Sequence, residues 1–318
     1  MSTSTAPTLD AVERTRALLV SVDPGRRRID RIMTVLVYGA FALAMVPLIS
    51  LLWTVIDSGR VRFTLEFLTS TMRGIYGGID AGGVYHAMIG TLVITLLAAV
   101  ISVPVGLLTA IYLVEYGRGP LARAVTFFVD VMTGIPSIVA GLFAFALFTL
   151  ILGPTGARTG LVGAVALSVL MIPVVVRSCE EMLKLVPNEL REASYALGVP
   201  KWLTIVRVVL RTSVAGLTTG VLLAVARVIG ETAPLVITAG TTDSYNVNPF
   251  DGRMMTLPVY IYSQWRQGVV PCREGQADCL ADINELRAWA AALLLILIVM
   301  GLNLIGRLVT RWFSPKLR

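Results

Sequence analysis

Charge is scarce in this 318-residue sequence: Asp, Glu, Lys and Arg make up 15% of it, 56% is hydrophobic and the mean hydropathy is +0.78. Those values exclude a soluble globular domain and describe an integral membrane protein. Histidine occurs once, at His86, and cysteine three times, too few for a disulfide scaffold. Beside the one close pair, Cys272 and Cys279, there is no His or third ligand, which argues against a metal site. No Gly-Lys dipeptide occurs, so the chain lacks the Gly-x-x-x-x-Gly-Lys-Ser/Thr loop that cradles nucleotide phosphates. Nor does any nucleophile stand beside a partnered base, so no catalytic residue is expected.

What the sequence has instead is apolar runs long enough to cross a bilayer, which takes about 20 residues. They lie at Ile32–Ile56, Met88–Val114, Ala124–Leu152, Gly160–Val176, Ser213–Ala239 and Trp289–Leu308. The expected fold is therefore all-α and polytopic, with six transmembrane helices. The basic cluster "PGRRRIDR" before the first run resembles the start of a signal peptide, but the run is too long and no clear cleavage site follows. It reads as a retained anchor.

Lys and Arg set the orientation. Eighteen fall in the N-terminal tail, the second and fourth loops and the C-terminal tail, against eight in the first, third and fifth loops. Both termini are expected in the cytoplasm. The net charge of +7 then follows from topology and anionic lipid, and no nucleic-acid partner is needed. Trp53, Trp289 and Trp312 fall near span ends as interfacial anchors, and His86 reads as an interfacial polar residue at the outer edge of the second span.

The division is a cytoplasmic tail over 1–31, with a possible amphipathic helix around Val12–Val20, a membrane domain over 32–310, and a second tail over 311–318. The fifth loop, 240–288, carries Cys272 and Cys279 on the oxidising side, where a disulfide competes with two free thiols. Cys179 reads as a free thiol on the inner side.

The inner segment 177–212 is too charged to span and too periodic to be slack loop. Pro187 suits a helix start, Glu189 and Glu192 favour its positive end, and Gly198 followed by Pro200 marks a stop. Leu190, Ala193 and Leu197 fall on one face of that helix. A second helix opens at Pro200, with Lys201, Thr204, Arg207 and Arg211 as a polar stripe, and feeds into the fifth span.

This segment resembles the cytoplasmic coupling loop of ABC importer permeases: Glu-Ala-Ala, three residues, Gly, nine residues, Ile-x-Leu-Pro. Glu192-Ala193-Ser194, Gly198, Val208 and Leu210 match that spacing, while Ser194 and Arg211 depart from it. The alternative is a plain amphipathic helix on the membrane surface. Two further stretches, "GIPSIVAGLFAF" from Gly134 and "ARVIGETAPL" from Ala226, look like the PstA-type permease subunit of bacterial phosphate importers. The resemblance runs from the first span to the sixth, and leaves out the N-terminal tail and the Cys272–Cys279 insertion.

Within the second stretch, Arg227 and Glu231 stand near the middle of an apolar run, where each charge costs about 2.5–3.5 kcal/mol on insertion scales. Four residues apart, they can pair across one helical turn. Pro234 deprives the Gly230 carbonyl of its helical partner, so the helix is expected to kink or loosen there. On the functional reading, Arg227 faces a path for an oxyanion and Glu231 holds the guanidinium in its absence; on the structural one they are a buried ion pair that fixes packing. Thr133, Ser137, Asp130 and the kink at Pro136 are further candidates for the path, although small residues also serve helix contacts.

The resemblance implies a type I ABC importer permease fold and a subunit that imports inorganic phosphate without an ATPase site or cofactor of its own. It implies a second, homologous permease, an ABC ATPase dimer that binds ATP and Mg and engages Glu192, Ala193, Gly198, Leu190 and Leu197, an extracytoplasmic phosphate-binding protein, and the bacterial plasma membrane as location. Carriage of another oxyanion, an ion-coupled secondary transporter and a non-transporting scaffold are the rivals. A secondary transporter should show paired broken helices in repeat symmetry.

Overall fold

The computed structural model describes residues 24–272 and 279–313. The helix expected around Val12–Val20, the Trp312 side chain and residues 314–318 lie outside the described residues. The chain divides into two compact units, Met1–Thr54 and Val55–Arg318.

In the first unit, all the described residues belong to one helix, α1 (Pro24–Gly59). Its apolar side chains, among them Leu36, Phe41 and Leu43, point outward on every side. A helix apolar all round is a membrane span.

The regular structure of the second unit is helical, with no strand among the described residues beyond an isolated bridge between Ile79 and Cys279. After the short α2 (Leu65–Thr69) comes α3 (Tyr85–Ile111), which a π-helical turn extends through Tyr116. Then follow α4 (Gly119–Thr133), α5 (Ser137–Gly156), α6 (Gly160–Lys184) and the short helices α7 (Asn188–Ala196) and α8 (Lys201–Thr204). A second π-helical turn, Ile205–Val209, leads into α9 (Leu210–Ile229); α10 (Ala233–Thr238), α11 (Leu257–Gln267) and α12 (Ile283–Phe313) complete the order. By length and composition five helices qualify as membrane spans, and six if α4 and α5 count as one.

Most of α6 is enclosed, with α3, α4, α5 and α9 packed around it. Small residues let the backbones approach. Ser168 of α6 donates to the Ala164 carbonyl of its own helix at 2.7 Å with the Ala98 carbonyl of α3 only 3.4 Å away, and Ser102 of α3 donates to the Ser168 carbonyl at 3.4 Å. A Cβ added at Gly106 would lie 2.6 Å from Val175, and one at Gly220 would lie 2.8 Å from Ser178. Close, dry packing of this kind holds helices together where lipid removes the usual hydrophobic drive.

Three expectations change in detail. The third span is not one helix: α4 and α5 meet at 106° across residues 134–136. Pro136 takes φ −58° and ψ 136°, and its ring keeps the preceding residue out of the helical region. The fifth span is broken rather than kinked, because α9 stops at Ile229 with Gly230 as its C-cap and Pro234 sits at the start of α10. The fourth span runs on past Val176 to Lys184, since its charges pair along the helix: Arg177 with Glu180 at 2.8 Å and Lys184 with Glu180 at 2.7 Å. What read as the opening of the inner loop is two more turns of α6.

Candidate functional site

The two breaks face one another. A Cβ placed on Gly141 of α5 would lie 2.6 Å from the Pro234 Cα of α10, so the two segments touch backbone to backbone. Beside that contact is a cavity of about 190 Å³, lined by Thr133, Ser137, Pro173, Arg227 and Glu231 among others. A water occupies about 30 Å³ of the liquid, so the space holds a small ion with part of its shell. The structure thus brings Arg227, Glu231, Thr133 and Ser137 together from three helices and two breaks.

Arg227 and Glu231 do not pair. Neither makes an ion pair or a side-chain hydrogen bond among the described residues. Gly230 ends α9 between them, which removes the helical turn that was expected to stack one on the other. Arg227, in the last turn of α9, is exposed, and Glu231 is half-buried. Thr133 returns its hydroxyl to the Asp130 carbonyl at 2.6 Å, so its oxygen lone pairs remain as acceptors.

Asp130 does not line the cavity. It pairs instead with Arg177, which continues through Glu180 to Lys184 as a four-membered charge network. His86 also departs from expectation. It is 2% exposed, edge-on to Tyr260 at 5.7 Å between ring centroids, and neither ring nitrogen has a partner. Cys272 and Cys279 are joined in a disulfide and Cys179 is a buried free thiol. Among the described residues no cluster of three metal-ligating side chains occurs.

The α7–α8 helix-turn-helix is built as a solvent-exposed platform. Glu192, Ala193, Leu190 and Leu197 are all exposed, Leu197 at 84%. Gly198 takes φ +77°, the left-handed geometry that glycine adopts without strain and that ends α7. Thr204, placed on the polar stripe by its spacing, is fully buried and shares a 2.9 Å hydrogen bond with Ser194. The serine that departs from the Ala of the loop pattern therefore ties α7 to α8.

A brace under the platform was not visible in the sequence. Arg191 of α7 reaches Glu115, in the π-helical turn after α3, at 2.9 Å, and also the Leu183 carbonyl at 3.1 Å. Lys201 donates to the Glu115 carbonyl and lies over the Tyr116 ring at 4.6 Å. With side chains only 12% and 5% exposed, the Arg191–Glu115 pair is buried. Missed likewise was Arg287, 2% exposed and without a carboxylate partner among the described residues, which donates to the Ile79 and Ala81 carbonyls at 2.8 and 2.7 Å.

Broken helices around a charged cavity, joined to an exposed helix-turn-helix platform, define the class as a helical membrane permease. The family described as "Binding-protein-dependent transport system inner membrane component" matches residues 102–318. The chain is 47% identical over 286 residues to "Phosphate transport system permease protein PstA 1" of Mycobacterium tuberculosis (strain CDC 1551 / Oshkosh), covering 89% of this chain and 90% of that one. It is 46% identical to PstA of Mycobacterium leprae (strain TN), with 94% of each chain covered, and 37% identical to PstA of Pasteurella multocida (strain Pm70), with 89% and 95% covered. The chain therefore belongs to the PstA-type permeases of that inner-membrane family. Among solved structures, a bacterial alginate ABC transporter shares its fold with a TM-score of 0.62 at 12% identity, over 90% of this chain and 96% of that one. The MetNI methionine ABC transporter, inward-facing, does so at 0.54 and 21% identity, over 73% and 95%. This is the type I ABC importer permease fold, in a multi-pass membrane protein.

Proposed function

We propose that this chain conducts inorganic phosphate across the bacterial plasma membrane as the permease subunit of an ATP-driven importer. The carrying observation is the cavity at the two helix breaks, lined by a guanidinium that makes no ion pair among the described residues. The names of its relatives supply the substrate.

Arg227 offers a planar fork of donors to a tetrahedral oxyanion, and the cavity wall has room for it. Glu231 lines the same space without touching Arg227, so its negative charge lowers the potential felt by the anion and shortens its stay. A conduit needs binding weak enough for release. Thr133 and Ser137 present oxygens that accept a hydrogen bond from a protonated phosphate oxygen.

Energy comes from partners. Two ABC ATPase subunits, which bind the ATP and Mg, sit against the platform of Leu190, Glu192, Ala193 and Leu197. A homologous second permease completes the path, and an extracytoplasmic binding protein delivers the anion. Closure of the ATPase pair pushes α7, and the Arg191–Glu115 brace passes that displacement to the end of α3. Both termini lie in the cytoplasm. Membership in a binding-protein-dependent family favours this reading over an ion-coupled carrier.

The test is reconstitution of the complex, with its binding protein, in proteoliposomes. Phosphate-dependent ATP hydrolysis and uptake of labelled phosphate are expected, with sulfate taken up poorly. Uptake driven by an ion gradient without ATP would overturn the assignment.

A further inference from the structure

A second charged cavity, of about 370 Å³, opens at the far end of α10. Arg158, just before α6, Arg253, in the loop before α11, and Arg266, in the last turn of α11, all line it. Among the described residues none of the three has a carboxylate partner; Arg158 lies only over the Phe145 ring, at 5.7 Å. Asp243 is the one acid in the lining, so three positive charges face one negative.

Solvated surface arginines do not account for the whole arrangement. Gln264, also in the lining, is 3% exposed and its Oε1 has no hydrogen-bond partner. Buried amides are nearly always satisfied, and this oxygen can only accept, so it fits a protonated phosphate oxygen or a water of the ion's shell. Like charges gathered from separate parts of the chain repel one another unless a counter-ion joins them.

The position adds to this. Glu231, just before α10, lines the first cavity and Gly240, just after it, lines the second. Between them lie the six residues of α10, about 9 Å of helix at ~1.5 Å per residue. The outer space is about twice the size of the inner one, room for an anion that keeps more of its water.

We propose that this cavity is a loading site for a tetrahedral oxyanion, in which Arg158, Arg253 and Arg266 hold the ion at one end of α10 before it passes along that helix to Arg227. The site rests on the reading of the chain as a phosphate conduit, and faces the outside by the same topology. Three dispersed cations concentrate the anion electrostatically, and hydrated contacts let it leave again.

The experiment uses the assembled complex in proteoliposomes, with Ser263→Cys placed in the cavity wall; the native thiol, Cys179, is buried. Reaction of the new thiol from outside is timed with an anionic and a cationic thiosulfonate of similar size. The anionic reagent is expected to react faster by about tenfold or more, and inorganic phosphate to slow it. The triple variant R158Q/R253Q/R266Q loses both effects, whereas R158K/R253K/R266K keeps the preference for the anion.

Equal rates for the two reagents, no protection by phosphate, or failure of both triple variants alike would overturn the site. Protection by the binding protein alone, and not by free phosphate, would make the arginines a docking surface and overturn it too. The variant R227Q separates the two levels of the proposal. It should lower uptake roughly ten- to a hundredfold yet leave phosphate protection at position 263 intact, whereas absence of phosphate uptake by the unsubstituted complex sinks the conduit reading itself.

Discussion

Arg177 and Arg227 are both arginines near the ends of largely apolar helices, one in α6 and one in α9, yet their charges are handled in opposite ways. Arg177 is shared by Asp130 of α4 and Glu180 of its own helix, and Glu180 holds Lys184 as well. Arg227 has a carboxylate in the same cavity wall and does not bond to it. The first arrangement offsets the desolvation of a guanidinium with permanent partners and fixes the seam between helices. The second leaves the guanidinium's donors without a partner among the described residues, and on the proposed reading a passing anion takes them. Arg191, bound to Glu115, belongs with Arg177.

The difference can be broken or sharpened at several points. The largest effect is expected from Glu115→Ala, which leaves the Arg191 guanidinium buried without its carboxylate. Loss of one partner of a buried pair costs about 3–5 kcal/mol, seen as a lowered melting temperature in detergent, with ATP hydrolysis freed from phosphate control. An unchanged melt would show that the platform needs no brace. Next comes Gly141→Val, whose side chain collides with Pro234. Overpacking of this kind costs about 1–3 kcal/mol, and we expect uptake to fall because α5 and α10 are forced apart at the cavity. Full uptake would place the conduit elsewhere.

Smaller effects test the structural side. Arg177→Gln removes the centre of its network, but the side chain is 31% exposed and partly screened, so the loss is about 1 kcal/mol of stability. Uptake per assembled complex should stay normal; a large fall would make Arg177 part of the path. Ser194→Ala restores the Ala of the loop pattern and leaves the Thr204 hydroxyl with the Pro200 carbonyl at 3.4 Å. The expected change is at the low end of a neutral hydrogen bond, about 0.5 kcal/mol, read by thermal melts.

Much of this was legible in the residues themselves. Each expected apolar run falls on helix, because bilayer thickness sets the length of such runs, although the fourth span continues eight residues past Val176 and the third run covers two helices. Pro187, Gly198 and Pro200 delimited the inner helix-turn-helix, since each acts on the backbone locally. The breaks at residues 134–136 and 230–232 were legible only as kinks: Pro136 and Pro234 announce a disturbance, but hydropathy carries straight across it. The unpaired state of Arg227 and Glu231 depends on that backbone, so a spacing of four residues pointed to a pair that the C-cap at Gly230 prevents. Glu115 and Arg191 are far apart in the chain, as are Arg158 and Arg253, and no local signal joins residues that only the packing of α3, α6 and α11 brings together.

The most direct test is Arg227→Gln in the assembled complex. Uptake of phosphate should fall roughly ten- to a hundredfold, the equivalent of about 1.5–3 kcal/mol of charge-assisted hydrogen bonding, while the melting temperature and co-purification of partners stay unchanged. Normal uptake in a normally assembled complex, or a collapse of stability like that expected at Glu115, would contradict the account.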